Sequence, residues 1–149
     1  MRRFVSALGL GLAMATAASL GAVAQTPPVI DMKGTWKITV DLVIDGTSPH
    51  NPAQAESKAA GKFRLRSQVI VFKLEGQDGR RFWGTVTSEH DPGQRAVGTV
   101  SPDGKWVYLV GRVNLGDGMV IDADTIQMCF RHAGETSAMA GCGEMKRQK

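Results

Sequence analysis

The sequence is poor in the residues from which catalytic and metal sites are usually built. It has three histidines, His50, His90 and His132, and each falls in a separate predicted loop. Separate loops offer no fixed ligand spacing, and no Ser-His-Asp, Cys-His or paired-carboxylate arrangement can be located from the spacing of residues. We therefore expect no enzymatic activity, no bound metal and no cofactor.

A long hydrophobic run occurs at the N-terminus. After Met1-Arg2-Arg3 the chain is rich in Ala, Gly and Leu, and Ala22-Val23-Ala24 precedes a polar residue. This arrangement is typical of a secretory signal peptide, which we place at residues 1–24. An uncleaved membrane anchor is the alternative, although Gly, Ser and Thr make the run only mildly hydrophobic. We expect a periplasmic or secreted protein with no stable membrane insertion after cleavage.

A strong excess of one charge is missing from the mature chain. The formal net charge of +4 falls to about +2 when Arg2 and Arg3 leave with the signal peptide. Because little basicity remains, we expect no nucleic-acid partner. The rest of the chain has the size of one domain. We place an N-terminal tether at residues 25–33 and a single domain at residues 34–149.

Cysteine is rare, but the two copies stand where a disulfide can form. If residues 133–138 close a hairpin, Cys129 and Cys142 lie directly opposite each other on adjacent strands. Opposed positions bring two Cβ atoms within reach of a disulfide, and an exported location favours oxidation. Free thiols are one alternative. A metal site that adds His132 is another, although it lacks a fourth ligand.

What the sequence does contain is a series of short alternating runs separated by turn residues. They place strands near residues 34–45, 62–74, 80–88, 95–101, 105–114, 118–123, 125–131 and 138–147. These eight strands predict an all-β fold, an antiparallel up-and-down meander that closes into a small barrel. The one long connection, residues 47–61, has an Ala-rich half that suits a short helix over one barrel mouth.

Two hairpins carry an Asp-Gly pair that suits a three-residue turn, one over residues 76–80 and one over residues 101–105. The first turn sets Phe72 opposite Gly84. The second sets Gly98 opposite Tyr108 and brings Trp106 to the same apolar face. If the barrel is hollow, these five residues line a ligand cavity. The alternative is that the glycines relieve crowding beside aromatic rings and that the barrel is filled.

Basic residues alternate with apolar ones at the start of the second strand. Lys62, Arg64 and Arg66 form a stripe on one strand face, and the apolar phase changes after Ser67. The change of phase predicts a β-bulge near Ser67. We place the basic stripe on the solvated outer face, because exposed basic residues on β-strands usually serve solubility and edge protection. The alternative is that the stripe meets an anionic surface or an acidic partner.

Both ends of the predicted barrel sequence carry a recognisable pattern. Gly34-Thr35-Trp36 begins the first strand, and the basic residues Lys146 and Arg147 end the last one. With the number and order of strands, this resembles the calycin superfamily of lipocalin-type and avidin-type barrels. The resemblance implies that Trp36 closes the barrel floor and that Arg147, or alternatively Lys146, lies across its ring in a cation–π contact. The chain lacks the second lipocalin motif and the polar biotin-binding residues of avidins. The resemblance therefore does not imply that the chain binds a retinoid or biotin.

These observations lead to two functional hypotheses. The leading one is a non-enzymatic, exported envelope protein that binds a small apolar ligand through the mouth beside residues 47–61. The second is a filled barrel that binds another protein, for instance as an enzyme inhibitor, through its loops or its basic strand face. The pattern of residues does not distinguish among partners or oligomeric states.

Overall fold

The computed structural model describes residues 28–46, 63–89, 91–112, 114–135 and 137–149. Within these residues, antiparallel strands pair in sequence order, and the last pairs with the first to close a barrel. The fold class is therefore as predicted. The proposed signal peptide, the 47–61 connection, Lys62 and the histidines His50 and His90 lie outside the described residues. The strands are β1 (Gly34–Gly46), β2 (Arg64–Asp78), β3 (Arg81–Ser88), β4 (Asp91–Val100), β5 (Trp106–Val110), β6 (Leu115–Val120), β7 (Thr125–Ala133) and β8 (Ser137–Arg147).

Alternation along the strands fills the barrel with apolar side chains. Every second residue points inward, so each strand contributes its apolar face to one shared core. Closure also leaves no unpaired edge among the eight described strands. The buried hydrophobic residues are Met32, Trp36, Ile38, Val40, Leu42, Ile44, Phe72, Leu74, Phe82, Ala96, Val100, Val107, Leu109, Ile126, Met128, Phe130 and Met145.

The floor of the barrel is the end at which β1 begins and β8 ends. Trp36 is fully buried there, and its Nε1 donates a hydrogen bond of 2.8 Å to the carbonyl oxygen of Met32. The guanidinium carbon of Arg147 lies 4.2 Å from the centroid of the Trp36 ring. This cation–π geometry is the one that the calycin resemblance implies. The Nε of Arg147 also donates to Asp124 Oδ1 at 2.7 Å, which fixes the guanidinium in place.

Residues 28–33, the described part of the predicted tether, pack across this floor. Met32 is buried, and Val29 and Ile30 pack against the core. The side chain of Gln77 holds the segment, since its Oε1 accepts from Met32 N at 2.6 Å and its Nε2 donates to Ile30 O at 3.0 Å. The packed barrel therefore includes residues that the alternation pattern did not assign to it.

The disulfide forms at the predicted pair of residues. Cys129 on β7 is directly opposite Cys142 on β8, and the two Sγ atoms are bonded. The hairpin closes between Ala133 and Ala138, as expected. Both cysteines are on the outer face of the sheet. The disulfide therefore joins two strands outside the core, and it leaves no free thiol for a metal site among the described residues.

The first predicted hairpin is displaced by two residues. Leu74, not Phe72, is opposite Gly84, because the register shifts between Leu74 and Gly76 and the turn consists of Gly79 and Arg80. The bulge thus lies near the floor, eight residues beyond the predicted one at Ser67. A displacement by two keeps every side chain on its predicted face, so Phe72 is buried as expected.

The register of the second predicted hairpin is displaced by one residue, so the inward and outward faces of β5 are exchanged. Gly98 is opposite Leu109, and Tyr108 is opposite Thr99. The turn has one residue more than the predicted three, because Ser101 N donates to Trp106 O at 2.7 Å. The hydroxyl of Ser101 also accepts from Trp106 N at 2.9 Å. Trp106 and Tyr108 therefore point outward, which is a correction to the predicted cavity lining.

The β2 strand keeps a single phase from Arg64 to Leu74. Its pairing with β1 continues without a shift from Arg64 to Leu74, so the bulge predicted near Ser67 is absent. Arg64 and Arg66 consequently lie on the inward face with Phe72, whereas Leu65 is 83% exposed. The expectation of a solvated outer stripe is wrong for these two arginines. No helix long and apolar enough to cross a membrane occurs in the described part of the chain.

Candidate functional site at the barrel mouth

The mouth is the end of the barrel opposite Trp36, where β1 ends, β2 begins and the β7–β8 hairpin turns. A pocket of about 50 Å³ opens there toward the interior. Its apolar walls come from β1, β2, β3, β7 and β8, and its polar side chains come from β2, β3, β4 and the loop after β5. The lining residues are Leu42, Gln68, Ile70, Val86, Thr87, Ser88, Asp91, Gln94, Asn114, Phe130 and Met139.

The pocket ends at a pair of stacked rings in the middle of the barrel. Phe72 on β2 and Phe130 on β7 have centroids 6.0 Å apart and ring planes within 11° of each other. Below them the core continues to Trp36 through fully buried side chains such as Met128 and Met145. The rings therefore separate the accessible mouth from a filled lower barrel.

Inward-facing glycines accommodate these side chains and do not create a cavity. A Cβ at Gly98 would collide with the ring of Phe82, and one at Gly84 would collide with the backbone of Lys73 and Leu74. On β6, a Cβ at Gly118 would collide with Met128. The space that each glycine leaves is already occupied. The interpretation that Gly84 and Gly98 enlarge a ligand cavity is wrong, and the alternative of relieved crowding fits these positions.

None of the residues predicted to bind ligand lines the mouth pocket, although Phe72 stacks on Phe130, which does. Trp106 is 43% exposed and Tyr108 is 44% exposed on the outside of β5. Their displacement follows from the longer β4–β5 turn. The actual lining includes residues from loops, such as Asn114, which strand alternation gives no means of finding.

A hydrogen-bonded group builds the polar side of the mouth. Gln94 Nε2 donates to Asp91 Oδ2 at 3.1 Å, and Gln94 Oε1 accepts from Arg112 N at 3.0 Å. Asp91 Oδ1 accepts in turn from Gly93 N at 3.0 Å. These bonds tie the start of β4 to the loop after β5. The amide and carboxylate beside the pocket therefore have fixed orientations.

Two arginines add positive charge to the inner face at the same end. Arg64 Nη2 donates to the carbonyl oxygen of Gly46 at 2.6 Å, across the end of the β1–β2 pair. Arg66 is half-buried and is opposite Leu42, which lines the pocket. Long arginine side chains can reach from an inward position toward the open end of a barrel. The mouth thus combines apolar walls, fixed amide groups and cationic side chains.

The described histidine at this end has a structural partner. His132 Nε2 and Ser137 Oγ are 3.1 Å apart at the tip of the β7–β8 hairpin. Among the described residues, no group of three or more His, Cys, Asp and Glu side chains is placed to hold a metal ion.

No protein-family model and no curated protein sequence matches the chain. Among solved structures, the chain is similar to the S-type phycobiliprotein lyase CPES from Guillardia theta, with 13% sequence identity and a TM-score of 0.35. The similarity covers 79% of this chain and 89% of that one. Because the TM-score is low, we base the functional interpretation on the geometry of this chain alone.

Proposed function

We propose that the protein is a non-enzymatic binding protein that holds a small ligand at the mouth of its barrel. The observation that carries this proposal is the mouth pocket, where apolar side chains of the interior line a space beside fixed polar groups of the described residues. Small-ligand sites typically combine mostly apolar walls with a few oriented polar groups. The pocket also lies at the end of the barrel to which the 47–61 connection is joined.

The size of the pocket limits what the interior takes. Enclosed sites for small molecules usually measure about 300–1,000 Å³. The mouth pocket, at about 50 Å³, suits a short apolar end of a ligand above Phe130. The ligand that we propose therefore inserts an alkyl end and leaves its other end at the rim. This narrows the sequence-based hypothesis of an apolar ligand inside the barrel.

The charge at the rim suggests the chemistry of the outer end. Arg66 is half-buried beside Leu42, and Arg64 is held at the same end by Gly46. Guanidinium groups bind carboxylates and phosphates through charge-assisted hydrogen bonds. A small amphipathic anion, such as a short-chain carboxylic acid, satisfies both the apolar walls and the arginines.

Export to an oxidising compartment and a calycin-like ancestry are parts of the same proposal. The disulfide between Cys129 and Cys142 is compatible with an oxidising environment, which supports a periplasmic or secreted location. The position of Arg147 over Trp36 supports the calycin resemblance. The absence of catalysis rests on the sequence, which contains no recognisable catalytic arrangement.

The second sequence-based hypothesis is a filled barrel that binds another protein. It has two parts, the filled interior and the binding face, and they differ in how well they are supported. The filled lower barrel favours it. Its basic strand face does not, because Arg64 and Arg66 face the inside of the mouth. A protein partner at the loops stays a prediction.

Paired ligands test the mouth proposal. Hexanoate and hexanol have the same alkyl chain, so titration of each by calorimetry or NMR isolates the contribution of the carboxylate. We expect hexanoate to bind more tightly than hexanol. Arg66→Gln should weaken the binding of hexanoate roughly tenfold and leave the affinity for hexanol unchanged. Arg95→Gln is the control, because Arg95 is exposed on the outer face of β4.

Filling the pocket supplies an independent variant. Val86 lines the pocket, so Val86→Phe should abolish the binding of both ligands, whereas Val97→Phe on the outer face should not. Native mass spectrometry of the protein purified without denaturation would reveal any ligand already retained. Equal affinities of wild type and Val86→Phe would contradict a site in this pocket.

A further inference from the structure

The outer face of the barrel carries a groove that is separate from the mouth site. It crosses β3, β4 and β5, and two aromatic side chains stand on it. Trp83 is 40% exposed and Tyr108 is 44% exposed, whereas Trp36 at the floor is fully buried. Trp83 and Tyr108 are among the aromatic residues that the chain keeps at the surface, and both lie on this one groove. The residues that define the groove are Trp83, Val97, Thr99, Tyr108, Asp78 and Arg81.

The ring of Trp83 lies flat on the sheet. The bulge after Leu74 places Gly76 opposite Trp83. A Cβ at Gly76 would collide with three atoms of the indole ring, so the ring rests directly on the glycine backbone. One face of the indole is covered in this way, and the side chain still exposes two-fifths of its surface. Gly76 and the bulge thus make Trp83 a supported, flat platform.

Tyr108 stands at the other side of the groove, two strands away. Between the rings lies β4, where Val97 is opposite Trp83 and Thr99 is opposite Tyr108. Since neighbouring strands are about 4.8 Å apart and each residue rises about 3.3 Å along a strand, the two aromatic positions are separated by roughly 10 Å across the sheet and roughly 7 Å along it, about 12 Å in all. Only short side chains lie between them. This separation is one that a di- or trisaccharide spans.

The charges beside the rings balance each other. Arg81 and Asp78 form an ion pair at the end of the groove, and Arg81 is opposite Thr99. A groove for single-stranded nucleic acid needs a positive surface to follow the backbone, and this pair leaves no net charge. The same side chains offer hydrogen-bond donors and acceptors that a purely apolar partner would leave unused.

We propose that this groove binds a neutral β-1,4-linked oligosaccharide. Such glycans are extended and present flat C–H faces, which can stack on Trp83 and Tyr108, and hydroxyl groups along their edges. The hydroxyl groups would bind Asp78, Arg81 and Thr99. Aromatic rings with one apolar face and polar neighbours suit a ligand of this amphipathic kind.

Titration with three glycans tests the proposal. The probes are cellohexaose and chitohexaose, which are β-1,4-linked, and maltohexaose, whose α-1,4 linkages curve the chain. The readouts are intrinsic tryptophan fluorescence and amide NMR shifts. We expect wild type to bind at least one of the first two with a millimolar or smaller dissociation constant. It should bind maltohexaose more weakly.

A matched pair of tryptophan variants locates the site. Trp83→Ala should weaken binding roughly tenfold, while Trp83→Phe should retain part of the affinity. Trp106→Ala is the control, because Trp106 is equally exposed but lies outside the groove, beside Met119. Arg66→Gln at the mouth should also leave glycan binding unchanged. Unfolding curves of the variants show whether each is folded.

Four results would overturn the proposal. The first is that wild type binds neither β-1,4-linked probe. The second is that Trp106→Ala weakens binding as much as Trp83→Ala does. The third is that amide shifts cluster at the mouth instead of at β3, β4 and β5. Preferential binding of a single-stranded oligonucleotide to the same groove would equally reject a neutral glycan as its ligand.

Discussion

The two ends of this barrel are built from the same eight strands, but the side chains at each end have different roles. At the floor, the side chain of Arg147 donates four hydrogen bonds and covers the ring of Trp36. At the mouth, hydrogen bonds hold side chains such as Gln94 around a pocket of about 50 Å³. A closed end supplies rigidity, so the other end can expose apolar wall without loss of the fold.

The filled middle of the barrel is what keeps the two ends independent. The stacked rings of Phe72 and Phe130 separate the mouth pocket from the lower core. Well-separated sites usually contribute additively to stability. We therefore expect floor substitutions to change stability and mouth substitutions to change binding.

The largest expected effect is at the floor. Trp36→Ala should lower the free energy of unfolding by about 3–5 kcal/mol, because it removes a buried ring and the surface that Arg147 covers. The measurement is urea-induced unfolding. Trp106→Ala is the matched control on the outer face, and because its ring is only partly buried we expect a smaller loss, about 1–2 kcal/mol. Similar losses in the two variants would remove the distinction between floor and surface.

The next largest effect concerns the disulfide on the hairpin that borders the mouth. Replacing both Cys129 and Cys142 with serine should lower stability by about 3 kcal/mol, because the bond closes a loop with a sequence separation of 13. Thermal unfolding of wild type with and without reductant measures the same quantity. Faster amide exchange should follow near Ala133 and Ala138. No sensitivity to reductant would show that the bond does not contribute.

The smallest effect concerns the β4–β5 turn near the floor. Hydrogen bonds from Ser101 and the backbone of Lys105 lower the pKa of Asp103 below its usual value. The contribution of the ionised carboxylate is therefore present above the usual pKa of 3.8 and is lost as the pH falls through the lowered pKa. An NMR titration of the carboxyl carbon measures this pKa.

Asp103→Asn supplies the variant for this last prediction. The stability of this variant should depend less on acid pH than the stability of the wild type does. The difference should be small, because the carboxylate of Asp103 is fully exposed. A pKa of Asp103 at or above 3.8 in the folded protein would contradict the bonding at the turn.

Most of the fold could be predicted from the sequence, because it depends on local patterns. Strand alternation predicts the number and order of strands, and the opposition of Cys129 and Cys142 follows from one hairpin. The floor contact between Trp36 and Arg147 follows from a short motif and its resemblance to known barrels. Each of these features requires only nearby residues or one long-range pairing.

The candidate site was harder to predict because it depends on register. One additional turn residue, held by Ser101, moves Trp106 and Tyr108 from the interior to the surface. A continuous pairing of β1 with β2 turns Arg64 and Arg66 inward, although arginine usually indicates an outer face. Hydrogen bonds at a turn and cross-strand pairing leave little trace in the periodicity of one strand.

Amide NMR shifts during a hexanoate titration test the central claim most directly, because one experiment reports on both ends of the barrel. We predict saturable shifts at Gln68, Gln94 and Met139 around the mouth pocket, and unchanged signals at Trp36 and Phe82 near the floor. No saturable shift at the mouth, or shifts centred on the floor, would contradict a binding barrel that is closed at one end and open at the other.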